Sequence, residues 1–232
     1  MNVLVACEES QRVTMEFRKM GHNAFSCDVE PESGDFPEWH IQSDVLPLLN
    51  GNCSFLTNDG KRHSIEGPWN IIIAHPPCTF LCAASACRMY PERGKVDPIR
   101  LRKAMRAKNF FMQIFSANCE KIAIENPKPL KIVELPKEQQ HIQPFQFGDP
   151  YSKLTYLWLK NLPQLQPTKI IKNYVPYISC GTSRNKGKPD KAGVSRRGGA
   201  AKIRSKTFPG IAEAMAAQWG GTELDNYQIA LW

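Results

Sequence analysis

Long apolar runs are missing from this chain. The most apolar stretches, such as Ile71 to Ala74, fall far short of the ~20 residues that a bilayer span needs, so no transmembrane helix and no membrane partner are expected. A basic leader is missing as well. Met1-Asn2-Val3-Leu4-Val5-Ala6 runs straight into acids, which does not read as a signal peptide. None of the eight cysteines forms a C-x-x-C pair. Without a leader, this points to a reducing, intracellular compartment, with most thiols acting as buried small hydrophobes. Cys78, Cys82 and Cys87 match no common zinc spacing, so no metal is expected. The first strand-to-helix turn, Ala6-Cys7-Glu8-Glu9-Ser10, has none of the glycines of a dinucleotide loop. Its two acids would repel a pyrophosphate, which disfavours NAD, FAD and ATP there and leaves room for a cationic or zwitterionic cofactor.

What is present suits one substantial folded domain. The chain has 232 residues, of which 42% are apolar and 22% charged. Its formal net charge is +8, and that excess is concentrated. Between Arg184 and Lys206 stand nine bases and one acid, Asp190, while the remaining residues carry 21 bases and 21 acids. A diffuse excess would speak of solubility. A concentrated one suggests a polyanionic partner, with Arg184, Lys186, Lys188, Arg196, Arg197, Lys202 and Arg204 as the phosphate-contacting set. The plainer alternative is a solvated basic loop.

Hydrophobic patterning gives the architecture. Asn2 to Ala6 reads as a buried parallel strand. Ser10 to Met20 reads as a helix with Val13, Phe17 and Met20 on one face and Gly21 as its stop. Asn23 to Cys27 reads as a second strand, which makes a parallel crossover. A hairpin insertion is expected around Asn58-Asp59-Gly60, and a buried strand over Trp69 to Ala74. A long helix follows over Pro98 to Cys119, with Leu101, Met105, Phe111 and Phe115 on its apolar side. Further strands are expected over Lys121 to Ile124 and Thr155 to Leu159, and a closing helix over Gly210 to Trp219. The fold class is α/β: a mostly parallel, Rossmann-like sheet with helices on both faces. The expected division is a catalytic core over 1–162, a short irregular basic recognition segment over 163–206, and a returning helix within 207–232.

In such sheets ligands bind at the carboxyl ends of the strands. The polar motifs gather there. Pro76-Pro77-Cys78 follows a buried strand, where a cysteine on a fixed turn is either a nucleophile or a buried strand-end thiol. Glu125-Asn126-Pro127 ends another strand. Its glutamate is a general acid or a base-edge partner if burial raises its pKa, or else a turn cap. Asp28 ends the second strand, where an acid accepts from ribose hydroxyls or is merely solvated. Asp44 stands near a further strand end.

Taken in order, these residues resemble the DNA cytosine-C5 methyltransferase family over about residues 2 to 160, with a looser echo near 205 to 219. Pro76-Pro77-Cys78 looks like the family's proline-proline-cysteine motif, and Glu125-Asn126-Pro127 like its glutamate-asparagine-valine motif. Ser43-Asp44-Val45 is similar to the motif whose acid meets the adenine of S-adenosylmethionine, and Asp28 falls where the family has its ribose-binding glutamate. Residues Phe147 to Thr155 look like the tyrosine-glycine-x-proline-glutamine-x-arginine-x-arginine motif, with Lys153 and Thr155 in place of the two arginines. The family's glycine-rich cofactor loop is replaced by Ala6 to Ser10. The small size and short recognition region are similar to phage and prophage members.

The resemblance implies methyl transfer from S-adenosylmethionine to cytosine C5 in double-stranded DNA, with the target base flipped out to Cys78. It makes Cys78 the nucleophile and has Glu125 and Asn126 bind the base edge, with Lys153 nearby. Cys7, Glu8, Glu9, Ser10, Asp28, Val29, Asp44, Val45 and Pro76 would surround the cofactor. The alternatives are methylation of a free pyrimidine nucleotide or RNA, and a methyltransferase-fold protein that binds DNA without catalysis. Recognition sequence, oligomeric state and a role in restriction-modification are open at this stage.

Overall fold

The computed structural model describes residues 1–176 and 205–221. A seven-stranded sheet forms the centre. Its strands are β1 (Asn2–Ala6), β2 (Asn23–Asp28), β3 (His40–Gln42), β6 (Ile71–Ala74), β7 (Lys121–Asn126), β8 (Gln140–Ile142) and β10 (Thr155–Lys160), in the order β3-β2-β1-β6-β7-β10-β8. Two small sheets stand apart from it. One is a hairpin of β4 (Cys53–Leu56) and β5 (Arg62–Ile65), turning at Asn58-Asp59-Gly60 as the sequence suggests. The other pairs β9 (Tyr151–Ser152) with β11 (Val175–Pro176).

Strands β3, β2, β1, β6 and β7 are all parallel. β1 and β6 are buried on both faces because helices cover both sides, which is why they read as unbroken apolar runs. β10 departs from the expected parallel pattern: it runs antiparallel to both β7 and β8. An apolar strand sequence such as Thr155–Lys160 carries no mark of its direction.

Four helices are described: α1 (Arg12–Lys19), the single turn α2 (Ala86–Met89), α3 (Pro98–Phe115) and α4 (Pro209–Trp219). On one face, Val13 and Phe17 of α1 and Ile211, Met215 and Trp219 of α4 pack on Val3, Val5, Ile71 and Ile73. Full burial of side chains like these is worth about 1.5–3 kcal/mol each. Met20, expected on this face, is exposed instead, because α1 ends before it and Gly21 takes φ +80. On the opposite face, Phe111 and Ile114 of α3 pack with Leu4, Ile72, Ile122 and Trp158.

Residues 163–176, the first part of the expected recognition segment, include contacts to this body. Leu165 is buried in the α1–α4 core, and the Trp219 indole donates to the Pro163 carbonyl at 2.9 Å. The start of α4 is pinned by the segment before β9. The Gly210 amide donates to Asp149 Oδ2 at 3.0 Å, and a Cβ on Gly210 would collide with the Phe147 carbonyl. Gly210→Ala is therefore expected to cost about 1–3 kcal/mol and lower Tm in thermal unfolding, as overpacking does; an unchanged Tm would contradict this packing.

Candidate active site

The strand order reverses beside β1, since β2 and β6 flank it on either side. The carboxyl ends of β1, β2, β6 and β7 therefore open onto one crevice. Backbone conformation shapes its first wall. Cys7 and Gln11 take the left-handed φ values of 58° and 57° that glycine would adopt freely. The Gln11 side chain is fully buried and holds the 33–36 loop, donating to the Phe36 carbonyl at 2.7 Å and accepting the Phe36 amide at 3.2 Å. Nothing in the sequence pattern distinguishes Gln11 from a surface glutamine.

Glu8 turns away from the crevice. Its carboxylate is buried at the N-terminus of α1, where it accepts from the Val13 amide at 2.7 Å, the Thr14 amide at 3.2 Å and the Thr14 hydroxyl at 2.7 Å. The helix's first amides neutralise it, so the repulsion expected from two acids here falls to one. Glu9 accepts the Ser33 hydroxyl, and the Lys206 ammonium donates to the same Ser33 oxygen at 2.7 Å.

Asp28 and Asp44 both face Cys7. Burial first, then Asp28, Cys27 and Asp44, push the Cys7 thiol far above the usual thiol range. One oxygen of each carboxylate is used locally: Asp28 Oδ1 accepts the Glu30 amide at 2.9 Å, and Asp44 Oδ1 accepts the Leu46 amide at 3.0 Å. Val29 is 69% exposed beside Asp28, whereas Ser10, Val45 and Pro76 are buried.

The second wall comes from β6 and β7. Their register pairs Ala74 with Ile124, which brings His75 level with Glu125. His75 Nδ1 donates to Glu125 Oε2 at 3.0 Å, and the Asn126 side-chain amide donates to the Pro76 carbonyl at 2.9 Å. On this wall two buried polar atoms, His75 Nε2 and Asn126 Oδ1, have no hydrogen-bond partner among the described residues. Buried polar groups left unpaired cost about 1–3 kcal/mol, and such an atom beside a crevice is a ready contact for a ligand.

Burial pushes the Glu125 carboxyl up, as the sequence suggests, but the net direction is opposite. The His75 hydrogen bond and the Lys153 ammonium outweigh burial and hold Glu125 below the ordinary glutamate range. Lys153 also lies 5.7 Å from the centre of the Phe208 ring. The Thr155 hydroxyl donates to the Lys153 carbonyl at 3.2 Å, so it fixes that turn.

Cys78 is half-buried within the field of Glu125 and Lys153, and it pairs with Cys82. The hydrogen bond from Cys78 and the backbone amides of Ala84 and Ser85 hold the Cys82 thiol down, to about 6, against burial. The same hydrogen bond, burial and the charges of Cys82 and Glu125 push the Cys78 thiol far above the usual thiol range, so the thiolate of the pair rests on Cys82. The sequence raises Cys82 only as a metal ligand, beside Cys78 and Cys87, and gives His75 no role of its own. His75 occupies the strand-end position that marked the others, and a lone histidine gave no further signal.

Arg184, Lys186, Lys188, Arg196, Arg197, Lys202 and Arg204 lie outside the described residues. No helix among the described residues is long and apolar enough to cross a membrane.

No protein-family profile matches the chain, and no curated protein matches it. Among solved structures, that of a prophage-encoded E. coli protein, a candidate DNA modification methyltransferase, matches at 14% identity and a TM-score of 0.40, over 74% of this chain and 52% of that one. The chain spans about half the length of that structure.

Glu8→Gln removes a buried charge from the first turn of α1 and is expected to cost about 1–3 kcal/mol in urea unfolding; a neutral effect would contradict the capping role. Glu125 gives a pH signature. Its folded pKa lies below the unfolded value of 4.5, so its stabilisation is present above that value and is lost as pH falls through the folded one. Glu125→Gln should therefore flatten the acid side of the stability–pH curve, and an unchanged acid limb would contradict the pairing with His75.

Proposed function

We propose that this protein transfers the methyl group of S-adenosylmethionine to C5 of cytosine in DNA. The observation that carries this reading is the convergence of Cys78, Glu125 and Lys153 at adjoining strand ends, next to two unpartnered buried polar atoms.

The crevice suits the cofactor by its donor set. Asp28 and Asp44 each keep one carboxylate oxygen clear of the backbone amide that the other holds, a fit for ribose hydroxyls and an adenine amino group. The exposed Val29 offers an apolar surface to a purine. With Glu8 bound to α1, the remaining acids balance a sulfonium without crowding it. When bound, S-adenosylmethionine supplies an electrophilic methyl group.

The chain's own residues activate the carbon that accepts it. Cytosine C5 is a poor nucleophile while the ring is conjugated. The Cys82 thiolate takes the Cys78 proton as the Cys78 sulfur adds to C6, which forms an S–C6 bond and makes C5 electron-rich. Addition at C6 places an electron pair on N3, which takes a proton from solvent, and Glu125, held ionised by His75 and Lys153, accepts from the N3 and N4 hydrogens of that edge. Asn126 Oδ1 is an acceptor for the same edge. After C5 gains the methyl group, loss of the C5 proton breaks the S–C6 bond and restores the ring. The base must leave the duplex to reach Cys78. The bases of 184–204 would then hold phosphates in this reading.

Cys78→Ser should abolish tritium transfer from labelled S-adenosylmethionine to DNA while leaving calorimetric cofactor binding intact. Methylated cytosine formed by Cys78→Ser would overturn the mechanism.

A further inference from the structure

The geometry points to a second phosphate-binding surface, the solvent face of α3, which delivers nucleic acid to the Cys78 turn; it rests on the function proposed above and adds a contact outside the 184–206 segment. Helix α3 carries five bases, Arg100, Arg102, Lys103, Arg106 and Lys108, and no acid. Among the described residues, none of the five side chains forms an ion pair, and the one carboxylate at the helix, Asp97, caps it by accepting the Arg100 backbone amide at 2.9 Å. Like charges left unpaired on one helix repel each other. Their persistence without acids implies a partner that repays that cost.

Placement ties the stripe to the site. Arg100 Nη2 donates to the Thr79 carbonyl at 2.9 Å, one residue from Cys78, and the Arg100 guanidinium lies 5.0 Å from the centre of the Phe80 ring. The Lys103 ammonium is 5.6 Å from the same ring. From there Arg102, Lys103 and Arg106 continue outward over about one helical turn, all exposed. Arg100 therefore anchors the helix to the catalytic turn, and the other three project positive charge from its rim.

The chemistry of the helix selects the partner. An interfacial membrane helix needs an apolar face free to enter lipid. The apolar face of α3 is already spent on the core through Ala104, Phe111 and Ile114. What remains is cationic and two-thirds arginine at its centre, a surface for phosphate oxygens along a nucleic-acid strand.

The test is the triple variant Arg102→Gln, Lys103→Gln, Arg106→Gln, which keeps good helix formers. Fluorescence anisotropy with a short DNA duplex would be titrated against KCl, with Lys19→Gln on the opposite face of the sheet as control. Each phosphate contact contributes about 0.9 to the slope of log K against log salt, so the slope should shrink by about 2–3 in the triple variant and stay unchanged in the control. Affinity near ~0.15 M salt should fall about tenfold or more. An unchanged slope with wild-type methyl transfer intact would overturn the surface and leave the proposed reaction standing. A reduced slope with no methyl transfer by any form would support the surface and overturn the reaction. Unchanged duplex affinity with lost binding to anionic phospholipid vesicles would overturn it in favour of a membrane.

Discussion

Two hydrogen bonds bridge the ends of β6 and β7, and most of the crevice depends on them. His75 to Glu125 and Asn126 to the Pro76 carbonyl both follow from the register that sets Ala74 against Ile124. A slip by one residue would turn each side chain to the other face of the sheet. Glu125 would then lose the imidazole that keeps it charged, and a buried carboxylate without partners neutralises. The same bonds fix the turn that carries Cys78. Stability and chemistry therefore share one set of contacts at the sheet's edge.

The edge is divided electrically. On the β1–β2 side, Asp28 and Asp44 face a buried thiol, and Glu8 is taken out of play by α1. On the β6–β7 side, Lys153 and the His75 hydrogen bond favour negative charge on Glu125. Beyond Cys78 the sign changes again, along α3. Acids suit a sulfonium cofactor, and bases suit phosphates. The electron-rich adduct would form between them.

Much of this frame was legible in the sequence because it rests on local patterns. Ile71–Ala74 reads as a strand covered on both faces, and Pro98 marks the start of a long helix. Cys78 and Glu125 stand out because strand ends in α/β sheets carry chemistry. Other parts depend on distant neighbours. Gln140–Ile142 is polar and becomes a strand only by pairing with β10. His75 gains meaning only when β7 places Glu125 beside it. The basic face of α3 was hidden by arithmetic, since the 21 acids outside 184–206 cancel the 21 bases there in the sum, although none of those acids stands on the helix itself.

The most direct measurement is a trapping experiment with duplex DNA carrying 5-fluorocytosine. Fluorine on C5 cannot leave as a proton, so an enzyme that adds Cys78 to C6 and methylates C5 is caught on its substrate. The account predicts, in the presence of S-adenosylmethionine, a covalent complex by intact mass whose only modified peptide contains Cys78. No adduct on a target that the protein methylates in its unfluorinated form, or an adduct on another cysteine such as Cys82, would contradict it.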